Sequence, residues 1–155
     1  MRLLFFTLLI MESIKVESFT MDHTKVKAPF VRQCGVLTGP NGDVVTKFDL
    51  RFMQPNKDSI PTAALHALEH LLAGYLRDEI ENVIDLSPMG CRTGFYFIVW
   101  GTPSVEVVTQ ALQKSLQRVI EATEIPAANE VQCGNYRDLS LFGAQEYAKL
   151  VLAQL

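Results

Sequence analysis

Cysteine is scarce in this chain, with three in 155 residues, at positions 34, 91 and 133. An odd number without a tight pair excludes a disulfide framework, and free thiols suit a reducing compartment, so a cytoplasmic location is expected. Positive charge is not in excess. Fourteen Lys and Arg stand against 17 Asp and Glu, for a net charge of −3. That balance removes the electrostatic case for a nucleic-acid partner. Long hydrophobic runs are absent too: the stretch from Leu3 to Ile10 is about half of what a membrane-spanning helix needs. No small-residue cleavage site follows it, and Met11-Glu12 brings an acidic residue at once. The first residues are therefore expected to reflect an upstream translation start, with Met11 as the working start, and no membrane partner is expected. Repeats, low-complexity stretches and linkers are also missing, so one domain is expected.

What remains is an ordinary globular composition, 48% apolar and 20% charged. Segment 31–38 reads as a strand entering the turn Gly39-Pro40-Asn41-Gly42, and 44–53 as the return strand. A long helix is expected from Pro61 or Thr62 to about Asp78, with Leu65, Leu68, Leu72 and Leu76 as its core stripe. A short strand at 83–86 ends in the turn Ser87-Pro88-Met89-Gly90, and Phe95 to Trp100 reads as a buried strand. A second helix covers about 104–122, with Val105, Val108, Leu112, Leu116 and Val119 on one face. Pro126 starts a short helix or turn through Gln132, and a last helix begins near Leu141 with no stop signal before the end. Mixed order with a hairpin first predicts an α+β fold, helices packed on a mostly antiparallel sheet.

The sharpest local signal is His66-Ala67-Leu68-Glu69-His70. Histidines at i and i+4 share a helical face, close enough for both rings to reach one metal ion. The chain has only three histidines, so two in this arrangement weaken the bland reading of a surface helix. Glu69 falls between the histidines and the leucine stripe, where a carboxylate partly against a core is suited to general-base work. Two ligands are insufficient for a metal. Cys133, after a short turn and before Gly134, is the better third candidate, because a thiolate with two imidazoles suits Fe(II), Zn(II) or Co(II). Cys91, beyond the tight turn at 87–90, has three readings: a thiolate in a cleft acting as base or nucleophile, a buried small hydrophobe, or a fourth ligand closing a structural zinc site. Cys34 lies in an apolar strand pattern and reads as structural.

Larger blocks carry a resemblance. Val16-Glu17-Ser18-Phe19, Met21-Asp22-His23, Lys47 to Phe52, His66 to Leu72, Ser87 to Gly94 and Ile125 to Gly134 resemble, in the same order, the S-ribosylhomocysteine lyase family of autoinducer-2 synthesis enzymes. The resemblance spans roughly residues 14 to 154, which sets a 13–155 lyase domain apart from an extra segment at 1–12 and ends a little early for the family. It implies a homodimer with its active site at the interface and one Fe(II) per subunit, replaceable by Zn(II) or Co(II). It implies cleavage of S-ribosylhomocysteine to homocysteine and 4,5-dihydroxy-2,3-pentanedione by carbonyl migration and β-elimination, with a place in methionine metabolism and quorum sensing. That chemistry needs a Lewis acid and at least two proton-transfer groups. Matched motif to motif, the resemblance makes His66, His70 and Cys133 the metal ligands and Cys91 and Glu69 the proton carriers. It places Ser18, His23, Arg51 and Asp85 around the substrate, Arg51 pairing a carboxylate or the Cys91 thiolate and Asp85 taking an ammonium. Two other classes compete on the residues alone. His-x-x-Glu-His is also the inverted zinc-peptidase motif, with a distant Glu as third ligand. A closed site completed by Cys91 would instead make a metal-stabilised binding module.

Overall fold

The computed structural model describes residues 16–155, so the expectations about the first dozen residues and Met11 lie outside the described residues. After a single-turn helix α1 (Glu17–Thr20), the chain runs through β1 (Phe30–Thr38), β2 (Val44–Arg51), α2 (Thr62–Glu79), β3 (Val83–Pro88) and β4 (Gly94–Trp100). Two more helices follow, α3 (Val105–Glu121) and α4 (Leu141–Leu152). The four strands form one antiparallel sheet in the order β1-β2-β4-β3. The α+β expectation holds.

Strand alternation decides the layout. Phe48 and Leu50 of β2, with Phe95, Phe97 and Val99 of β4, are buried in the core under the helices. Period two then turns Lys47, Asp49, Arg51, Tyr96 and Ile98 to the opposite, open face. Register confirms the alignment: Asp49 pairs with Tyr96, Arg51 with Gly94, and Asp85 of β3 with Ile98. The β1–β2 turn needs the left-handed conformation at Gly42 (φ 87°), which glycine alone adopts freely.

The helices close the core as their periodicity requires. The α2 stripe is wider than four leucines, since Ala64, Ala67 and Leu71 are buried too. On α3, Val108, Leu112, Leu116 and Val119 are buried, while Val105 is only partly so at the first turn. Ser104 caps α3 and Ser140 caps α4, each accepting a hydrogen bond from a backbone N–H three residues on.

The differences from expectation lie at the ends of elements. β2 stops at Arg51 rather than 53, because Phe52 and Met53 donate instead to the Thr93 carbonyl. β3 extends to Pro88, which pairs with Phe95 at the sheet's edge. Of the two readings of 126–132, helix or turn, the turn holds, and α4 ends at Leu152 rather than at the last residue. No helix among the described residues is long and apolar enough to cross a membrane.

Candidate active site

The expected metal ligands come together. His66 and His70 project from α2, one turn apart, with their Nε2 atoms 3.1 Å from each other. Cys133 reaches them from the 125–138 turns, its Sγ 3.4 Å from His66 Nε2. Among the described residues this is the one cluster of His, Cys or acidic side chains whose donor atoms all lie within 4.8 Å of one another. The surrounding backbone explains the aim of each group. His66 Nδ1 donates to the Asp138 carbonyl at 2.9 Å, and His70 Nδ1 to the Pro126 carbonyl at 2.7 Å. A carbonyl only accepts, so both Nδ1 atoms carry the proton and both Nε2 lone pairs face inward.

Two inward lone pairs 3.1 Å apart, with a sulfur alongside, repel unless a cation lies among them. Tetrahedral coordination at ordinary Zn–N and Zn–S lengths would set N···N near ~3.3 Å and N···S near ~3.5 Å. The spacing of the three side chains fits a metal of that kind. The distant Glu required by the peptidase reading has no place here, because the third donor is Cys133.

The turn that presents Cys133 is built by Asn129. Its Oδ1 accepts from the backbone N–H groups of Val131 and Gln132, both at 3.1 Å, and its carbonyl accepts from Cys133 N at 3.0 Å. The same segment is tied to the start of α2 by Ser140 N donating to the Ala63 carbonyl and by Thr62 Oγ1 to Asp138. Asn129, Pro126 and Asp138 are site-building residues that sequence reasoning missed. Only the first had a visible signal, an Asn opening a turn four residues before a candidate ligand.

A second group assembles on the open side of the sheet. Ser18, Phe19, His23, Arg51, Met89, Gly90, Cys91 and Tyr96 line a cleft of about 240 Å³. Four of the expected residues, Ser18, His23, Arg51 and Cys91, thus meet in one place. Cys91 is exposed there, which excludes the buried-hydrophobe reading. His23 Nδ1 donates to the Met21 carbonyl at 2.9 Å, leaving Nε2 as an acceptor. Asp85 does not line this cleft; it lies on β3, exposed, and accepts a hydrogen bond from Ser87.

Arg51 is buried, and its carboxylate partner is internal. Nε and Nη2 hold Asp49 in a fork at 3.0 and 2.8 Å, with the two side chains 2% and 1% exposed. Nη1 donates to Thr93 Oγ1 at 2.9 Å, and Thr93 Oγ1 is 3.0 Å from Cys91 Sγ. Burial works against the guanidinium charge, but the Asp49 hydrogen bonds and charge, then Cys91 and Tyr96, outweigh it and hold Arg51 above its ordinary range. Arg32 reaches Asp49 from the other side and pairs with Glu17 of α1. His66, His70 and Cys133 do not line the cleft, and neither does Glu69, half-buried on α2. The three-donor cluster and the cleft are thus two separate groups with no lining residue in common.

The sequence is similar to known proteins over most of its length. The family model described as S-Ribosylhomocysteinase (LuxS) matches residues 16–155. The S-ribosylhomocysteine lyase of Clostridioides difficile (strain 630) is 66% identical over 138 residues, 89% of this chain and 91% of that protein. That of Clostridium botulinum (strain Alaska E43 / Type E3) is 64% identical over the same shares of the two chains. The S-ribosylhomocysteine lyase of Enterococcus faecalis (strain ATCC 700802 / V583) is 57% identical over 141 residues, 90% of this chain and 91% of that protein.

Proposed function

We propose, from the premise that this chain belongs to the S-ribosylhomocysteinase family, a division of labour between its two half-sites. The chain is a lyase that cleaves S-ribosylhomocysteine. The products are homocysteine and 4,5-dihydroxy-2,3-pentanedione, whose cyclised forms are autoinducer-2. The route is carbonyl migration along the sugar followed by β-elimination of the thioether. Each migration removes a proton beside a carbonyl and returns one to the neighbouring carbon; the elimination removes one more and releases the homocysteine sulfur.

His66, His70 and Cys133 would hold one divalent metal per subunit, Fe(II) replaceable by Zn(II) or Co(II), which suits their nitrogen and sulfur donors. When bound, that ion supplies Lewis-acid polarisation of the substrate's carbonyl oxygen. Cys91 and Glu69 are the proton carriers, one on each half-site. Ser18 and His23 hold the sugar end in the cleft beside Cys91, and Arg51 supplies fixed positive charge there. Asp85, on the same open face, takes the ammonium of the homocysteine part.

Because the carriers sit on separate half-sites, the working enzyme is a homodimer with its active site at the interface. Residues 13–155 form the lyase domain, 1–12 lie outside it, and three free thiols favour the cytoplasm. The observation that carries the reading is the convergence of two inward Nε2 atoms and one thiol at 3.1 and 3.4 Å, in a chain of this family.

The test is incubation of metal-loaded protein with S-ribosylhomocysteine and assay of free homocysteine thiol. His66→Ala, His70→Ala and Cys133→Ala should each lose most of the metal. Cys91→Ala and Glu69→Gln should keep it while activity falls about a hundredfold or more. A metal-free Cys91→Ala protein would sink the open-site assignment, and absence of thiol release by the loaded parent would sink the lyase reading.

A further inference from the structure

Thr93 touches both Arg51 and Cys91, and no motif singled it out. It follows the turn that presents Cys91 and is 4% exposed. Its hydroxyl lies 2.9 Å from Arg51 Nη1 and 3.0 Å from Cys91 Sγ. A guanidinium can only donate, so Thr93 Oγ1 is the acceptor in the first contact, and its single proton is left for another neighbour. A buried hydroxyl proton without an acceptor is costly. The sulfur of Cys91 is the acceptor at hand. A sulfur accepts a hydrogen bond more strongly when charged than when neutral, so a donated hydroxyl proton favours the thiolate over the thiol.

Arg51 cannot turn to take over that role, because Asp49 grips two of its three nitrogens in a buried fork. Its hydrogen bond runs to Thr93 rather than to the sulfur. We propose that Thr93 is a positioning residue that donates its hydroxyl hydrogen bond to the Cys91 sulfur, holding the thiolate and relaying the positive field of Arg51 to it. Thr93 acts through Cys91 and does not itself line the cleft. The inference rests on Cys91 as a proton carrier and adds the residue that makes it one.

The charged and titratable groups facing Cys91 are Arg51 from β2, with Asp49 behind it, Tyr96 from β4, and His23 from the segment after α1. All of them remain when Thr93 is changed, so a substitution isolates the hydroxyl. Thr93→Val keeps the branched shape and removes the donor; Thr93→Ser restores it.

The probe is iodoacetamide on the full-length, metal-loaded protein without substrate. The rate at Cys91 is followed by peptide mass spectrometry from mildly acidic to alkaline pH. Thr93→Val should move the Cys91 profile upward by about one pH unit, so that alkylation at neutral pH slows about tenfold. Its metal content should stay near that of the parent while its unfolding midpoint falls modestly, because Arg51 Nη1 loses its acceptor, and Thr93→Ser should return both the parent profile and the parent midpoint. An unchanged profile in Thr93→Val would overturn the proposal. So would a Thr93→Ser protein that fails to restore it, or a shift accompanied by metal loss, since either makes Thr93 merely structural. No substrate enters the measurement, so a parent that releases no homocysteine loses the lyase reading while the Thr93 result stands or falls by itself.

Discussion

Asn129 contributes no atom to the metal cluster, yet its carboxamide oxygen gathers two backbone N–H groups and shapes the turn that carries Cys133. Replacing it with alanine leaves those donors to water and frees the turn, while His66 and His70 of α2 keep the Asp138 and Pro126 carbonyls as their anchors. Asn129→Ala should therefore fold normally and bind metal about tenfold more weakly, the usual penalty for losing an outer-shell partner, as measured by competition with a chelator. Unchanged affinity would mean that the turn holds its shape without the side chain. The three thiols separate at the same scale. Burial pushes the Cys34 thiol up to about 11, and the nearby Glu17 charge adds to it. In the unfolded chain a cysteine ionises near ~8.5, so the unfolded state gives up its proton first as pH rises. The stability linked to Cys34 is thus fully present below about pH 8.5 and is lost on the way to about pH 11. Urea midpoints should fall for the parent across that window and fall less for Cys34→Ala; parallel declines would show that Cys34 is not the group involved.

At the scale of elements, the β2–β4 junction sets the geometry of the thiol cleft. Gly94 faces Arg51 across the ladder, and a Cβ built on it would stand 2.1 Å from the Leu50 carbonyl oxygen and 3.0 Å from Arg51 Cα. Those neighbours are backbone and cannot move aside without parting the strands. Gly94→Ala should cost about 2–3 kcal/mol of stability, read as a lower denaturant midpoint, and should disturb Arg51 and Thr93 together. A variant with the parent's midpoint would show that the strands part there without strain. The same junction shows what could be read before the structure was known. Strands and helices followed from period-two and period-3.6 patterns, which report burial directly, and both histidines followed from helical spacing. Asp49 and Thr93 did not. Asp49 is an acid in a strand that also carries Lys47 and Arg51, and only the fold shows that it is 1% exposed and forked to Arg51. Thr93 gained its meaning from a contact 42 residues away in sequence, which no local pattern encodes. The turns of 125–138 were partly legible, but their ties to α2 were not, because those hydrogen bonds join residues far apart in sequence and no periodicity marks them.

Across the whole molecule, the separation of the two half-sites is the feature that most constrains function. His66, His70 and Glu69 belong to α2 and Cys133 to the turns beside it, while Cys91, Ser18, His23 and Arg51 share a cleft on the open face of the sheet. That face also exposes Trp100, 50% accessible at the end of β4, a group that gains from being covered. If two copies meet there, the metal of one subunit works with the Cys91 cleft of the other. A His66→Ala subunit then spoils one half-site and a Cys91→Ala subunit spoils the other. Co-expressed with different tags, two such inactive chains should pair at random, and half of the dimers will be mixed. Each mixed dimer has one site with both halves intact and one with both halves broken, so activity should return to about a quarter of the parent's. Glu69→Gln paired with Cys91→Ala should recover in the same way. His66→Ala paired with Glu69→Gln should not, because both changes fall on α2 and every site then keeps a defect. Recovery in none of the pairings, despite isolation of the mixed dimer by its two tags, would place the metal and the thiol in the same subunit's site, and recovery of the His66→Ala and Glu69→Gln pair would move Glu69 to the other half-site.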